Sequence, residues 1–282
     1  MANGEVVVVT GANAGIGKAI ATELAWKGRT VVLACRSESK TRAAIEEIGA
    51  TTGNRKLHFA SLDLASFASV RACAAQLQQQ FPQIHALVNN AGLFNRSCES
   101  TVDGFEMQFG VHHLGHFLLT KLLYPHLKAT ATAQAPVRVV ALSSVMHRLG
   151  RLNDAKWHPH KWYNPVGAYA QSKLCNVLFA REAARRWAKD NILVNAAHPG
   201  GIRSDIYREV PGPLRALINL TLVEPAEGAW PVVHLLSDPA GRTESGVYYE
   251  QRVRKEPSRA ARKDADALWL WNESLKLTGL AQ

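Results

Sequence analysis

Short runs of β-branched and aliphatic residues recur along the chain, each followed by a longer stretch of helical periodicity. This alternation restricts the fold more than any other feature of the sequence. Strands are expected at 5–10 (EVVVVT), 30–35, 56–60, 84–89, 137–142, 192–197 and 246–250. Helices are expected at 15–27, 39–49, 66–80, 104–128, 167–189, 213–222 and 225–236, with Pro125 ending or bending the fourth. Strands that are almost wholly apolar are buried on both faces, as in parallel sheets. Strand–helix alternation with short connections builds right-handed βαβ units. The expected fold is therefore α/β: a Rossmann-type, doubly wound parallel sheet of about seven strands flanked by helices. Ligands of such sheets bind at the carboxyl ends of the strands, near the point where strand order reverses. No repeat or low-complexity linker divides residues 1–282, so one domain is expected. It would carry a small apolar lid at about 203–224 and a C-terminal tail at 251–282, although the lid stretch also reads as a surface helix pair shielding the sheet.

Composition excludes several classes. A hydrophobic share of 47% with 20% charged residues is that of an ordinary globular protein, not of a disordered one. No run reaches the roughly 18 to 20 apolar residues of a membrane span, and the first residues show no signal-peptide pattern, so neither a leader nor an anchor is expected. The four cysteines (Cys35, Cys73, Cys98, Cys175) form no CxxC pair and read as reduced thiols of a cytoplasmic protein. The formal charge is +10, with basic residues clustered at Arg252, Arg254, Lys255, Arg259, Arg262 and Lys263. That cluster lacks the aromatic interleaving or groove-reading motif of a nucleic-acid binder, so no nucleic-acid partner is expected.

The turn after the first strand is Thr10-Gly11-Ala12-Asn13-Ala14-Gly15-Ile16-Gly17. Gly11 permits a tight turn, Gly15 leaves room for an approaching pyrophosphate, and Gly17 lets the helix pack close. The helix start then offers N–H groups and a positive dipole end to phosphate. The second strand ends Cys35-Arg36-Ser37. An acid at its end would bind a ribose 2′-hydroxyl. Arg36 stands there instead and suits a 2′-phosphate, with Ser37 and Lys40 beside it, so NADP(H) is the expected cofactor. Tyr169 and Lys173, four apart on a predicted helix, share one face. An ammonium beside a phenol favours the phenolate, which suits proton exchange with an alcohol oxygen. Met146, His147, Trp157, His158, His160, Trp162 and Tyr163 fill the stretch from Ser144 to Tyr169. Its histidines lack partners at metal-ligand spacing, so a loop beside the substrate mouth is expected and no metal.

The G-x-x-x-G-x-G spacing, Asn89-Asn90-Ala91-Gly92 and Y-x-x-x-K, in that order along the βα series, resemble the short-chain dehydrogenase/reductase family. Phe109-Gly110-Val111-His112-His113-Leu114-Gly115-His116-Phe117 is similar to its retinol dehydrogenase-like branch. The resemblance covers about residues 5–250. It implies that Asp63, followed by Leu64, meets the adenine amino group, although Asp63 also reads as a helix cap. It implies that Asn90, Ala91 and Gly92 line the adenine ribose while asparagine side chains brace strands. Ser144 would hold the substrate carbonyl, while the other reading, strand-end capping, suits Ser143 better. His198-Pro199-Gly200-Gly201-Ile202-Arg203-Ser204 resembles the PG motif, in which Pro199, Gly200, Ile202 and Ser204 would face the nicotinamide end. The family expects Asn at His112, completing a proton relay from tyrosine through lysine to water. His112 keeps the main-chain carbonyl, and a neutral imidazole could relay a proton; a packing or capping histidine is the equal alternative.

The resemblance implies an oxidoreductase that passes hydride between NADP(H) and an alcohol or carbonyl. Tyr169 would be the acid–base, Lys173 its tuner and ribose holder, and Ser144 the carbonyl holder. The cofactor preference points to reduction. A retinoid, or another lipophilic or aromatic aldehyde or ketone, would be the substrate. The other class of function is a catalytically weak NADP(H)-binding regulatory or scaffold protein. Family habit suggests a homodimer or homotetramer, with the helices at 104–128 and 167–189 pairing across a two-fold axis.

Overall fold

The structure, a computed structural model, describes residues 4–200, 224–239 and 241–280. Eight strands form one sheet in the order β3-β2-β1-β4-β5-β6-β7-β8. They are β1 (Val6–Thr10), β2 (Thr30–Cys35), β3 (Leu57–Ser61), β4 (Ala86–Asn89), β5 (Val137–Leu142), β6 (Ile192–His198), β7 (Tyr248–Glu250) and β8 (Val253–Lys255). All neighbours pair parallel except β7 and β8, which run antiparallel. The seven expected strands are present, and β8 adds an edge. Strand order reverses between β1 and β4, which are neighbours although two strands separate them in the chain.

The helices are α1 (Gly15–Trp26), α2 (Glu38–Thr52), α3 (Phe67–Gln80), the short α4 (Met107–Phe109), α5 (His116–Thr130), α6 (Pro165–Trp187), α7 (Pro225–Ser237) and α8 (Asp264–Leu277). A π-helical turn, Gly110–Gly115, joins α4 to α5. Alternate strand residues feed two cores, as the pleat requires. Val7 and Val9 face Ile20, Leu24, Ile48 and Leu235 on one side of the sheet. Val8 faces Val70, Leu77, Leu118 and Leu178 on the other.

Local chemistry sets the helix ends. Ser66 accepts from the Ser69 N–H to start α3. Asn164 accepts from the Gly167 N–H, with Pro165 in the first turn of α6. Both carboxylate oxygens of Glu106 accept N–H groups of α4, from Gln108 and Phe109. The helix expected from 104 therefore begins at Met107. Pro125 does not end it: α5 continues to Thr130. Gln78 Nε2 donates to the Leu122 carbonyl in the turn that the proline ring loosens.

The stretch expected as a tail contains β8 and α8. Ala267, Leu270, Trp271, Ser274 and Leu275 are buried along one stripe of α8, the i, i+3, i+4, i+7, i+8 pattern of a core-facing helix. Trp271 packs against Phe117 of α5 and Phe179 and Trp187 of α6, with ring centroids 5.2, 6.0 and 5.7 Å away. This chain's own α8 thus covers part of the α5–α6 surface that was expected to meet a second copy. The basic residues of the same segment are interleaved with acids. Arg254 pairs with Glu244, Lys255 with Glu250, Arg262 with Glu256 and Lys263 with Asp266. Among the described residues, no helix is long and apolar enough to cross a membrane, and no group of three or more His, Cys, Asp or Glu is placed to hold a metal ion.

Candidate active site

The turn between β1 and α1 is closely packed on one side and open on the other. Gly11 has φ +64°, and a Cβ there would lie 2.9 Å from Ala91 Cα. A Cβ on Gly17 would run into the Gly11 carbonyl oxygen and lie 2.5 Å from Asn90 Nδ2. Gly15, at φ +54°, faces open space. Ala14 is the extended N-cap of α1, with no side-chain cap bond and no acid in the first turn. The leading N–H groups of α1 therefore have no side-chain acceptor, which fits a bound anion. Asn13 and Ile16 flank this opening, both half-buried. Beneath the turn lies Cys35, whose thiol is pushed up in pKa by burial although backbone N–H groups of Ala12, Asn13 and Gly11 oppose that shift.

Arg36 and Lys40 are exposed beyond the end of β2, and Arg36 has no acidic partner among the described residues. Ser37 precedes α2 without capping it; its Oγ lies 3.4 Å from Ser39 Oγ. After β3, Asp63 Oδ1 accepts from the Ala65 N–H at 3.0 Å. Ser66 is the cap of α3, so Asp63 makes a local turn instead. Leu64 is buried, and its carbonyl sits where a Cβ on Gly115 would be, 2.6 Å away.

Across the switch point, Asn90 Nδ2 donates to the Thr10 carbonyl at 2.7 Å, and the N–H groups of Asn90 and Ala91 both donate to Thr10 Oγ1 at 2.9 Å. Asn89 Nδ2 donates to Thr120 Oγ1 of α5. Thr10 Oγ1 also meets His116 Nε2 at 2.9 Å, while His116 Nδ1 lies 3.0 Å from the His112 carbonyl. A carbonyl only accepts, so Nδ1 carries the proton and Thr10 donates to Nε2. Burial holds His116 at a pKa of about 4, which keeps this strap neutral. The asparagines thus brace β1, β4 and α5, as expected of them, and leave the Gly92 backbone beside Lys173.

Tyr169 and Lys173 lie on α6 facing the ends of β4 and β5. Lys173 Nζ is 5.5 Å from the Tyr169 ring centroid and 3.4 Å from the Leu142 carbonyl at the end of β5. A Cβ on Gly92 would lie 3.6 Å from the same Nζ. Burial lowers the Lys173 pKa from 10.5 to about 8. Ser143 Oγ donates to the Lys173 carbonyl at 2.8 Å, and Asn176 Nδ2 donates to the Leu142 carbonyl at 2.8 Å. Ser144 Oγ accepts from the Met146 N–H at 3.2 Å. Capping therefore falls to Ser144 rather than to Ser143, whose hydroxyl braces α6. The half-buried Phe94 sets its ring edge against Tyr169, centroids 5.8 Å apart.

His112 sits in the π-helical turn, fully buried. Its Nε2 accepts from the Leu93 N–H at 2.9 Å, and its Nδ1 is 2.8 Å from Ser172 Oγ. Because an N–H can only donate, Nε2 is the acceptor and Nδ1 donates to Ser172. Ser172 in turn donates to the Tyr169 carbonyl at 2.7 Å. Burial, and then the charge of Lys173, hold His112 well below the usual histidine range.

The sequence profile described as short chain dehydrogenase matches residues 5–213. The chain belongs to the short chain dehydrogenase family. It is 40% identical to human retinol dehydrogenase 13 over 98% of this chain and 85% of that protein. It is 43% identical to dehydrogenase/reductase SDR family member 13 of Bos taurus, over 98% of this chain and 74% of the relative. Among solved structures, an uncharacterised protein of Mycobacterium paratuberculosis superposes with a TM-score of 0.77 at 33% identity, covering 98% of this chain and 94% of the other. The Pseudomonas aeruginosa RhlG/NADP active-site complex gives 0.71 at 25% identity, over 87% and 94%.

Within this short chain dehydrogenase, His112 departs from the Asn that the resemblance implies, and both ring nitrogens already have partners. The imidazole spans from the Leu93 loop to α6, which is the geometry of a packing strut. Pro199 and Gly200 follow β6, Gly200 at φ +99°. Ile202, Ser204 and the helix expected at 213–222 lie outside the described residues, as does the expected lid except Glu224. His198, also at the end of β6, is buried with no hydrogen-bond partner for Nδ1 among the described residues, and burial holds its pKa at about 4. The sequence reading did not single out Thr10, His116, Phe94, Ser172 or Asn176. Thr10 and Asn176 had a signal: one ends the first strand, and the other is three residues beyond Lys173 on the same helix face. Ser172, His116 and Phe94 adjoin residues of the quoted motifs, but their partners are set by tertiary packing.

Proposed function

We propose that this chain is an NADP(H)-dependent oxidoreductase that interconverts a carbonyl and an alcohol, with Tyr169 as the acid–base group. One observation carries the reading: a buried Lys173 faces Tyr169 at the carboxyl ends of the strands, beside a helix start that lacks a side-chain cap. The dinucleotide, when bound, supplies the hydride chemistry. The N–H groups of α1 at Gly15, Ile16 and Gly17, with Asn13 and Ala14, hold its pyrophosphate. Arg36 and Ser37 take the 2′-phosphate, Asp63 and Leu64 the adenine, and Asn90, Ala91 and Gly92 the adjoining ribose. Pro199 and Gly200, which follow β6, would meet the nicotinamide end, and Lys173 would donate to its ribose; the resemblance assigns Ile202 and Ser204 to the same end.

In reduction the substrate oxygen takes the Tyr169 proton as its carbon becomes an alcohol carbon. In oxidation the same oxygen returns it. Lys173 stabilises negative charge developing on the phenol oxygen, and Ser144 donates to the substrate oxygen. Phe94 beside Tyr169 supports a lipophilic or aromatic aldehyde or ketone. Retinaldehyde belongs in the first panel because relatives named retinol dehydrogenase are 38–40% identical to this chain. Two measurements test the reading. Turnover of such a panel with NADPH should fall on Tyr169→Phe by about 10²- to 10⁴-fold while NADPH still binds. Unchanged turnover in Tyr169→Phe would overturn the role of Tyr169.

A further inference from the structure

The 3₁₀ turn Val145–Leu149 follows Ser144 directly, and its third residue, His147, is fully buried. His147 Nδ1 lies 2.7 Å from the Ser144 carbonyl oxygen, and Nε2 lies 3.0 Å from the Ser258 backbone nitrogen. The Ser258 N–H can only donate and the carbonyl can only accept, so Nδ1 carries the proton and Nε2 accepts. One neutral tautomer therefore bridges the end of β5 to the C-terminal segment. Burial favours that neutral form. The Tyr248 ring meets the imidazole edge-on, centroids 4.9 Å apart.

The neighbours tighten the same link. Arg148 Nη2 reaches Glu250 at 3.4 Å and the Glu256 carbonyl at 3.2 Å. A Cβ on Gly150 would lie 2.5 Å from the Ala170 carbonyl and 2.8 Å from Leu174 Cβ, so the turn is pressed onto α6 beside Tyr169. The peptide that carries Ser144 is thus fastened to α6 through Ser143 and Gly150, and to residues 248–258 through His147.

We propose that His147 is a positioning residue whose Nδ1–H fixes the Ser144 main chain beside the catalytic pocket, with the Ser258 N–H of the C-terminal segment holding the ring in that tautomer. The proposal rests on the reading of Ser144 as the donor to the substrate oxygen. Misplacing a transition-state donor lowers kcat with little effect on cofactor binding.

Two substitutions separate the two bonds. In His147→Asn the amide N–H₂ takes the place of Nδ1 and still donates to Ser144. In His147→Gln the longer amide oxygen reaches the place of Nε2 and still accepts from Ser258. On a carbonyl that the wild type reduces, His147→Gln should lower kcat about tenfold or more, equivalent to about 1.4 kcal/mol. KM and NADPH affinity should stay within about twofold, far less than that tenfold step. His147→Asn should recover most of kcat. An unchanged kcat in His147→Gln, or equal losses in both variants that track their Tm, would overturn the positioning role. Nitrogen NMR of wild-type His147 needs neither variant: the proposal requires a neutral ring protonated at Nδ1, and an Nε2-protonated or charged ring would overturn it. A wild type without turnover would instead sink the oxidoreductase reading, which the tautomer result alone does not test.

Discussion

The phosphate turn and the catalytic pocket are built in opposite ways. The turn comes from eight consecutive residues, Thr10–Gly17, and its shape depends on missing Cβ atoms at Gly11 and Gly17. The pocket draws Leu93 and Phe94, His112, Leu142 to His147, Tyr169 to Asn176 and Ser258 from five separate parts of the chain. A site of the first kind should break at single local positions. One of the second kind should respond to packing changes far from its chemistry.

The largest expected stability effect lies on the pocket side. Trp271→Ala removes the ring that ties α8 to α5 and α6, and should cost about 3–5 kcal/mol, read as a lower midpoint in denaturant unfolding. A loss under ~1 kcal/mol would show that the pocket does not depend on α8, since large-to-small core changes of this kind cost several times more. Gly17→Ala probes the turn. Its methyl group meets the Gly11 carbonyl and Asn90 Nδ2, so a loss of about 1–3 kcal/mol is expected, with NADPH binding weakened in a fluorescence titration. Arg36→Asp should weaken NADPH by about 10- to 100-fold, the range of one charge-assisted contact, and leave NADH nearly unchanged; equal losses would contradict the 2′-phosphate assignment. His112→Asn should keep kcat within several-fold, because the ring is a strut. A loss comparable to that of Tyr169→Phe would restore a proton-relay role to the imidazole.

The smallest effect is in pH, and its two signs differ. Folding lowers the Lys173 pKa from 10.5 to about 8. Between those values the unfolded chain holds the extra proton, so the contribution of this group to stability rises with pH. Over the same range its charge disappears from the site, so carbonyl reduction should fall as pH rises through about 8. A rate that is flat from pH 7 to 9 (about one unit either side of 8) would show that the charge of Lys173 is not needed.

The same contrast decides what could be read from the sequence. The Gly11–Gly17 turn, the Tyr169–Lys173 pair and the parallel order of the first seven strands follow from local spacing and apolar runs, and they were legible. His112 was legible as a departure, but its role was not. Its partners Leu93 and Ser172 stand 19 and 60 residues away in the chain. The capping bond fell to Ser144 rather than Ser143 because the 3₁₀ turn starts at Val145. The helix α8 had a clear apolar stripe, masked by the basic residues before it, which made the segment read as a tail.

The most direct test of the central claim is a single experiment on NADPH consumption. Wild type and Tyr169→Phe are compared with one aromatic aldehyde at saturating cofactor. The expected result is measurable oxidation by the wild type and a loss of at least about a hundredfold in the variant, with cofactor affinity retained. Equal rates in the two proteins would contradict it.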